Sequence, residues 1–127
     1  MRMNQLTLAV HDFDQAVAFY RAWGLRLIVS SEQRYARFEN PADLTTLSVH
    51  VANTATAPTT IVYFEVNDVQ QQVAKLAAKG INAVLGPATR PWRWIEARYE
   101  DPSGNVLCIY SAGKDRRFPP WRLKTKD

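Results

Sequence analysis

Reactive side chains are scarce in this chain: its 127 residues hold two histidines, His11 and His50, and one cysteine, Cys108. A nucleophilic cysteine needs a base or a cation beside it to form its thiolate, and His50 is the residue that would supply one. A lone cysteine in an apolar strand reads more simply as a small core residue, and that reading is adopted for Cys108. Glu65 and Glu96 are candidates for acid–base work if burial raises their pKa. The run "PWRWIEARYE" at 91–100 sets Trp94, Glu96 and Arg98 at alternate positions. Trp94 can pack in the core or offer a stacking surface, and Glu96 and Arg98 can simply pair with each other. Together with Tyr63 they also make what an aromatic or planar organic molecule needs, stacking and a few directed hydrogen bonds.

These residues are positioned by a repeat. Sliding the chain on itself by 56 residues matches Val10 with Val66, Asp12 with Asp68, Gln15 with Gln71, Val17 with Val73, Ala18 with Ala74, Ala22 with Ala78 and Gly24 with Gly80. Each aspartate and its glutamine form a capping box at a helix start. Apolar residues at helical spacing follow, Phe13, Ala16, Val17, Phe19 and Tyr20 in one copy and Val69, Val73, Leu76 and Ala77 in the other. Each glycine then supplies a left-handed helix end. Before each cap lies a strand alternating at period two, with Leu6, Leu8 and Val10 or Val62, Phe64 and Val66 toward the helices. Gln5, Thr7, Ile61, Tyr63 and Glu65 therefore take the other face. Three strand-like runs follow each glycine, at 25–30, 33–38 and 45–52 and again at 81–85, 92–99 and 105–110. On the third, His50 shares the polar side with Ser48 and Thr46, while Cys108 shares its side with Val106 and Tyr110. His11, between a strand end and a helix cap, is expected to be exposed. The organisation is thus a βαβββ module at 1–52, a small polar linker at 53–58, a second module at 59–112, and a basic tail at 113–127.

Two such modules, with "VHDFDQAVAFYRAWGL" in the first and "YEDPSGNVLCIY" closing the second, resemble the vicinal oxygen chelate superfamily over residues 4–111. That group includes glyoxalase I, extradiol dioxygenases, fosfomycin resistance enzymes and bleomycin-binding proteins. The resemblance implies an α+β fold in which the two modules form a curled mixed sheet with a concave cleft, glyoxalase-like, with Trp94, Glu96 and Arg98 facing that cleft. It also implies four metal positions, falling here on Gln5, Ser48 or His50, Ile61 and Cys108. Isoleucine ligates nothing, no carboxylate stands at any of the four, and Gln5, His50 and Cys108 are a poor set for a catalytic zinc, manganese or iron. No cofactor is expected. The reading is a metal-free binder of a small organic ligand, contacted by Gln5, Thr7, His50, Tyr63, Trp94, Glu96, Arg98 and Cys108. The rival from another class is an enzyme, a metal-dependent glyoxalase-like lyase or isomerase or a ring-cleaving dioxygenase. A third is an interaction module acting through the basic tail.

The net charge of +4 comes from that tail, where Lys114, Arg116, Arg117, Arg122, Lys124 and Lys126 face only Asp115 and Asp127. Nucleic-acid binding normally spreads its basic residues over a folded face, so it is not expected. No apolar run reaches the length of a membrane span and the first residues do not read as a signal, so a cytoplasmic protein is expected. A homodimer is expected too, as sheet edges gain from coverage and the tail carries Phe118, Trp121 and Leu123.

Overall fold

The computed structural model describes residues 2–52 and 60–124, so the expected linker at 53–58 lies outside the described residues. In chain order the elements are β1 (Gln5–Val10), α1 (Phe13–Trp23), β2 (Arg26–Ser31), β3 (Tyr35–Glu39), β4 (Thr46–Val51), β5 (Ile61–Glu65), α2 (Val69–Ala78), β6 (Leu85–Thr89), β7 (Ile95–Glu100) and β8 (Val106–Ser111), then a 3-10 turn, Gly113–Arg116. The fold is α+β, with two four-stranded sheets ordered β1-β4-β3-β2 and β5-β8-β7-β6. The repeat of the sequence is therefore a repeat of topology. By packing, the chain divides into one compact unit of Met1–Ile61 with Glu100–Val106, and another of Val62–Tyr99 with Leu107–Asp127.

In the first unit β1 runs parallel to β4, and β3 is antiparallel to both β4 and β2. Asp12 caps α1, its carboxylate accepting from the Gln15 N–H at 2.9 Å. The helix ends where Gly24 turns left-handed at φ 119°, with Gly24 and Leu25 donating back to Arg21 and Tyr20. Ala16, Tyr20 and Trp23 at helical spacing are buried, as are Leu8 and Val10, Ala36 and Phe38, and Leu47 and Val49 at strand spacing. Leu6, expected on the same face as Leu8, is 37% exposed.

The turn of residues 101–105 belongs to this unit and is held by one buried carboxylate. Asp101 Oδ1 accepts from the backbone N–H groups of Ser103 (2.9 Å) and Asn105 (2.8 Å). Its Oδ2 accepts from the Tyr20 hydroxyl (2.7 Å) and the Asn105 amide (2.8 Å). Asn105 also donates to the Ala9 carbonyl, and Ser103 accepts from the His11 N–H, which ties both ends of the turn to the β1–α1 junction.

In the second unit Asp68 caps α2 in the same way, accepting from the Gln71 N–H at 3.0 Å. One expected strand is displaced. Residues 81–84 are not a strand, and the pairing begins at Leu85. Ile81 is instead the residue after the helix-ending Gly80 (φ 81°): its N–H donates to Leu76 and its side chain is buried at the helix end, the hydrophobic contact that accompanies such a stop. Gly86, at φ 78°, lets β6 come close to β7; a Cβ there would stand 2.5 Å from the Glu96 carbonyl oxygen. Gly86→Ala is therefore expected to destabilise the protein by about 2 kcal/mol or more, through both overpacking and a left-handed backbone, as a lower denaturation midpoint in urea would show.

Candidate functional site

The second unit gathers most of the expected contact residues on one face of its sheet. The β6–β7 hairpin positions two of them. Arg93 N–H donates to the Arg90 carbonyl across Pro91, Arg93 itself is left-handed at φ 75°, and Arg90 N–H then bonds the Trp94 carbonyl at 2.8 Å. An ion pair between Arg93 and Asp115 at 3.2 Å anchors the same loop. Trp94, leaving this turn, stacks on Tyr110 with ring centroids 4.7 Å apart and planes at 23°. Tyr63 stands edge-on to both, at 6.0 Å from Trp94 and 5.6 Å from Tyr110. Such offset and edge-to-face pairs suit the quadrupoles of aromatic rings. Tyr63 is 43% exposed, so one side of the trio meets solvent.

Beside the trio lies a buried charge. Glu96 is 2% exposed. Its Oε2 accepts from the Trp92 indole N–H, and its Oε1 lies 3.5 Å from the Arg98 guanidinium, a long contact. Both oxygens of the carboxylate are thus engaged in positioning, while Arg98 is held loosely and remains partly exposed. Arg90 lies over the face of Trp92 at 5.1 Å. Glu65 is exposed at the end of β5, and its charge is felt at Tyr110, whose phenol is pushed up by burial first and by Glu65 next.

Cys108 is fully buried next to this pair, its thiol pointed at its neighbour's carbonyl. Burial, and then the Glu96 carboxylate, push the thiol up to about 12. A thiol so raised is neither a ready nucleophile nor a ready metal ligand. Folding favours its protonated form, so that contribution is present in full below the ordinary value of 9.0 and drains away as pH rises toward 12. Iodoacetamide at pH 8 is expected to leave the folded protein unmodified and to label Cys108 only after unfolding in urea, which mass spectrometry reads directly.

Gln5, Thr7 and His50 belong to the first unit, where Gln5 and His50 are exposed and the Gln5 side-chain oxygen accepts from Thr46 at 2.8 Å. Within the second unit the structure brings together Tyr63, Trp94, Glu96, Arg98 and Cys108, and adds two residues that were not expected as ligand contacts, Tyr110 and Trp92. Tyr110 could have been found from its alternation with Cys108. Trp92 falls on the side of Trp94 by alternation along the expected run 92–99, but it lies in the turn before β7, and from there its indole reaches Glu96. The four positions expected for a divalent metal are Gln5, Ser48 or His50, Ile61 and Cys108. Ile61 has no donor, Cys108 is buried, and among the described residues no three histidine, cysteine, aspartate or glutamate side chains cluster to hold a metal ion. No helix among the described residues is long and apolar enough to cross a membrane. In the tail Phe118, Trp121 and Leu123 are exposed, with Arg117 and Arg122 over the Phe118 ring.

Comparison with known proteins agrees with this geometry at the level of family. The model of the Glyoxalase/Bleomycin resistance protein/Dioxygenase superfamily matches residues 2–109, and the chain belongs to that superfamily. Among solved structures, a glyoxalase/bleomycin resistance protein/dioxygenase from Nocardioides superposes with a TM-score of 0.77 at 23% identity, covering 98% of this chain and 90% of that one. A lactoylglutathione lyase from Agrobacterium tumefaciens gives 0.71 at 19% identity, over 87% of this chain and 93% of that one. TioX from Micromonospora sp. ML1 gives 0.69 at 21% identity, over 87% and 98%. At these identities the likeness speaks for the fold. A search of curated proteins found no significant match.

Proposed function

We propose that this chain is a small-molecule-binding member of the superfamily that holds a planar aromatic ligand against Trp94, Tyr110 and Tyr63, without a resident metal. The observation that carries the reading is the partly exposed aromatic trio flanked by a buried, oriented carboxylate and a loosely held guanidinium. Stacking supplies affinity, while Arg98, only loosely held by the buried Glu96, offers a donor that sets the ligand's orientation. An enzyme reading would need a metal, which the residue types at Gln5, His50, Ile61 and Cys108 do not favour, or acid–base work by Glu65, which is exposed, or Glu96, whose oxygens are held by Trp92 and Arg98; superfamily membership alone does not decide chemistry. Naphthalene-2-carboxamide suits the site as a probe, being flat and neutral, with an amide oxygen that can accept from Arg98. Calorimetric titration should give the same affinity before and after dialysis against EDTA. Binding that disappears with the metal would overturn the reading.

A further inference from the structure

The first unit carries a second cluster, built on the sheet face that bears His50, and it has an excess of hydrogen-bond donors. Arg37 of β3 is half-buried, and its Nε–H donates to the Tyr35 hydroxyl at 2.9 Å while its guanidinium lies 5.5 Å from the Tyr35 ring. Among the described residues no carboxylate pairs with Arg37, and the nearest acid on its strand, Glu39, is held by Arg26 at 3.0 Å. Across β2 its neighbour is Val29, an apolar residue. The Tyr35 hydroxyl in turn shares one hydrogen bond of 2.8 Å with Ser48, whose hydroxyl is fully buried. Arg37 faces Ser48 across the β3–β4 pairing, Tyr35 faces His50, and Thr7 faces Ser48 from β1.

Counting protons shows what the cluster lacks. Two hydroxyl protons serve a single contact between Tyr35 and Ser48, so whichever oxygen donates, one O–H is left pointing elsewhere. The terminal amino groups of Arg37 add further donors and the guanidinium adds a charge, while a guanidinium has no acceptor to offer. A partly buried cation with surplus donors and no anion of its own is stabilised by one from outside.

We propose that Arg37, Tyr35 and Ser48, with His50 at the rim, form a binding site for a small oxyanion, a carboxylate or phosphate group. The site does not rest on the aromatic reading above, since the neutral probe used there has no charge to bring to Arg37.

The test is a titration of the full chain, labelled with nitrogen-15, with inorganic phosphate in one arm and acetate in the other, and chloride at matched ionic strength as the control. The Arg37 Nε–H signal and the backbone signals of Ser48 and His50 should move saturably with at least one oxyanion and not with chloride. Movement with phosphate alone assigns a phosphate site, and movement with acetate alone assigns a carboxylate site. Arg37→Gln should weaken the binding by about tenfold or more, as expected for loss of charge-assisted hydrogen bonds, whereas Arg26→Gln on the same sheet should leave it unchanged. Should Arg37→Gln fail to fold, the wild-type titration decides. No saturable shift at Arg37, an equal shift with chloride, or shifts confined to Arg117 and Arg122 in the tail would overturn the proposal.

Discussion

Asp101→Ala should be the most damaging single substitution on the surface-facing turns, lowering stability by about 4 kcal/mol in urea denaturation with an unchanged slope. Only 4% of Asp101 is exposed, and its carboxylate takes four hydrogen bonds, from the Ser103 and Asn105 backbone, the Asn105 amide and the Tyr20 hydroxyl. Each acceptor lost leaves a largely buried donor without a partner, which costs about 1–3 kcal/mol per group before any local rearrangement. Losses above about 4 kcal/mol are exceptional and come from breaking such networks. Asp101→Asn should fall between the two, at about 2 kcal/mol. Its oxygen can serve two donors, but its NH2 group must then face the Asn105 amide, donor to donor. Equal and small losses for both variants would show that the turn does not depend on the carboxylate.

The second large effect concerns the ligand. Trp94→Ala removes the ring that stacks on Tyr110 and takes the edge of Tyr63. Affinity for naphthalene-2-carboxamide should fall at least about tenfold, or about 1.4 kcal/mol, the loss expected when a stacked aromatic contact and its burial disappear. Trp121→Ala is the control, because Trp121 is exposed in the tail. It should bind as tightly as the parent. Calorimetry reports both, and equal affinity in the Trp94 and Trp121 variants would remove the aromatic trio from the site.

Much of the fold could be read from the chain because its signals are local. Asp12 and Asp68 accept from the third residue onward, and Gly24 and Gly80 stand at left-handed helix ends, so a match at a fixed offset had a physical meaning at each position. The same locality explains the misplaced strand. Ile81 is β-branched and apolar, as strand residues are, yet its role is set by the helix before it, where it closes the stop by burying its side chain. Strand alternation put Trp94, Glu96 and Arg98 on one side, and the contacts among Trp94, Tyr63 and Tyr110 and between Glu96 and Arg98 lie on that side. Alternation puts Trp92 on that side too, but as a strand residue, whereas it stands in the turn beside the left-handed Arg93 and bonds Glu96 from there. Alternation could not reveal the donor surplus at Arg37, because it arises from which neighbours two strands happen to pair across the sheet.

The central claim, a planar aromatic ligand at the trio without a metal, is tested most directly by nuclear magnetic resonance on the unmutated, EDTA-treated protein. The chain has four tryptophans, and each indole N–H gives its own signal. Titration with naphthalene-2-carboxamide should shift the indole signals of Trp92 and Trp94 saturably and leave those of Trp23, buried at the end of α1, and Trp121, exposed in the tail, where they are. Static signals at Trp92 and Trp94, or shifts confined to Trp23 and Trp121, would contradict it.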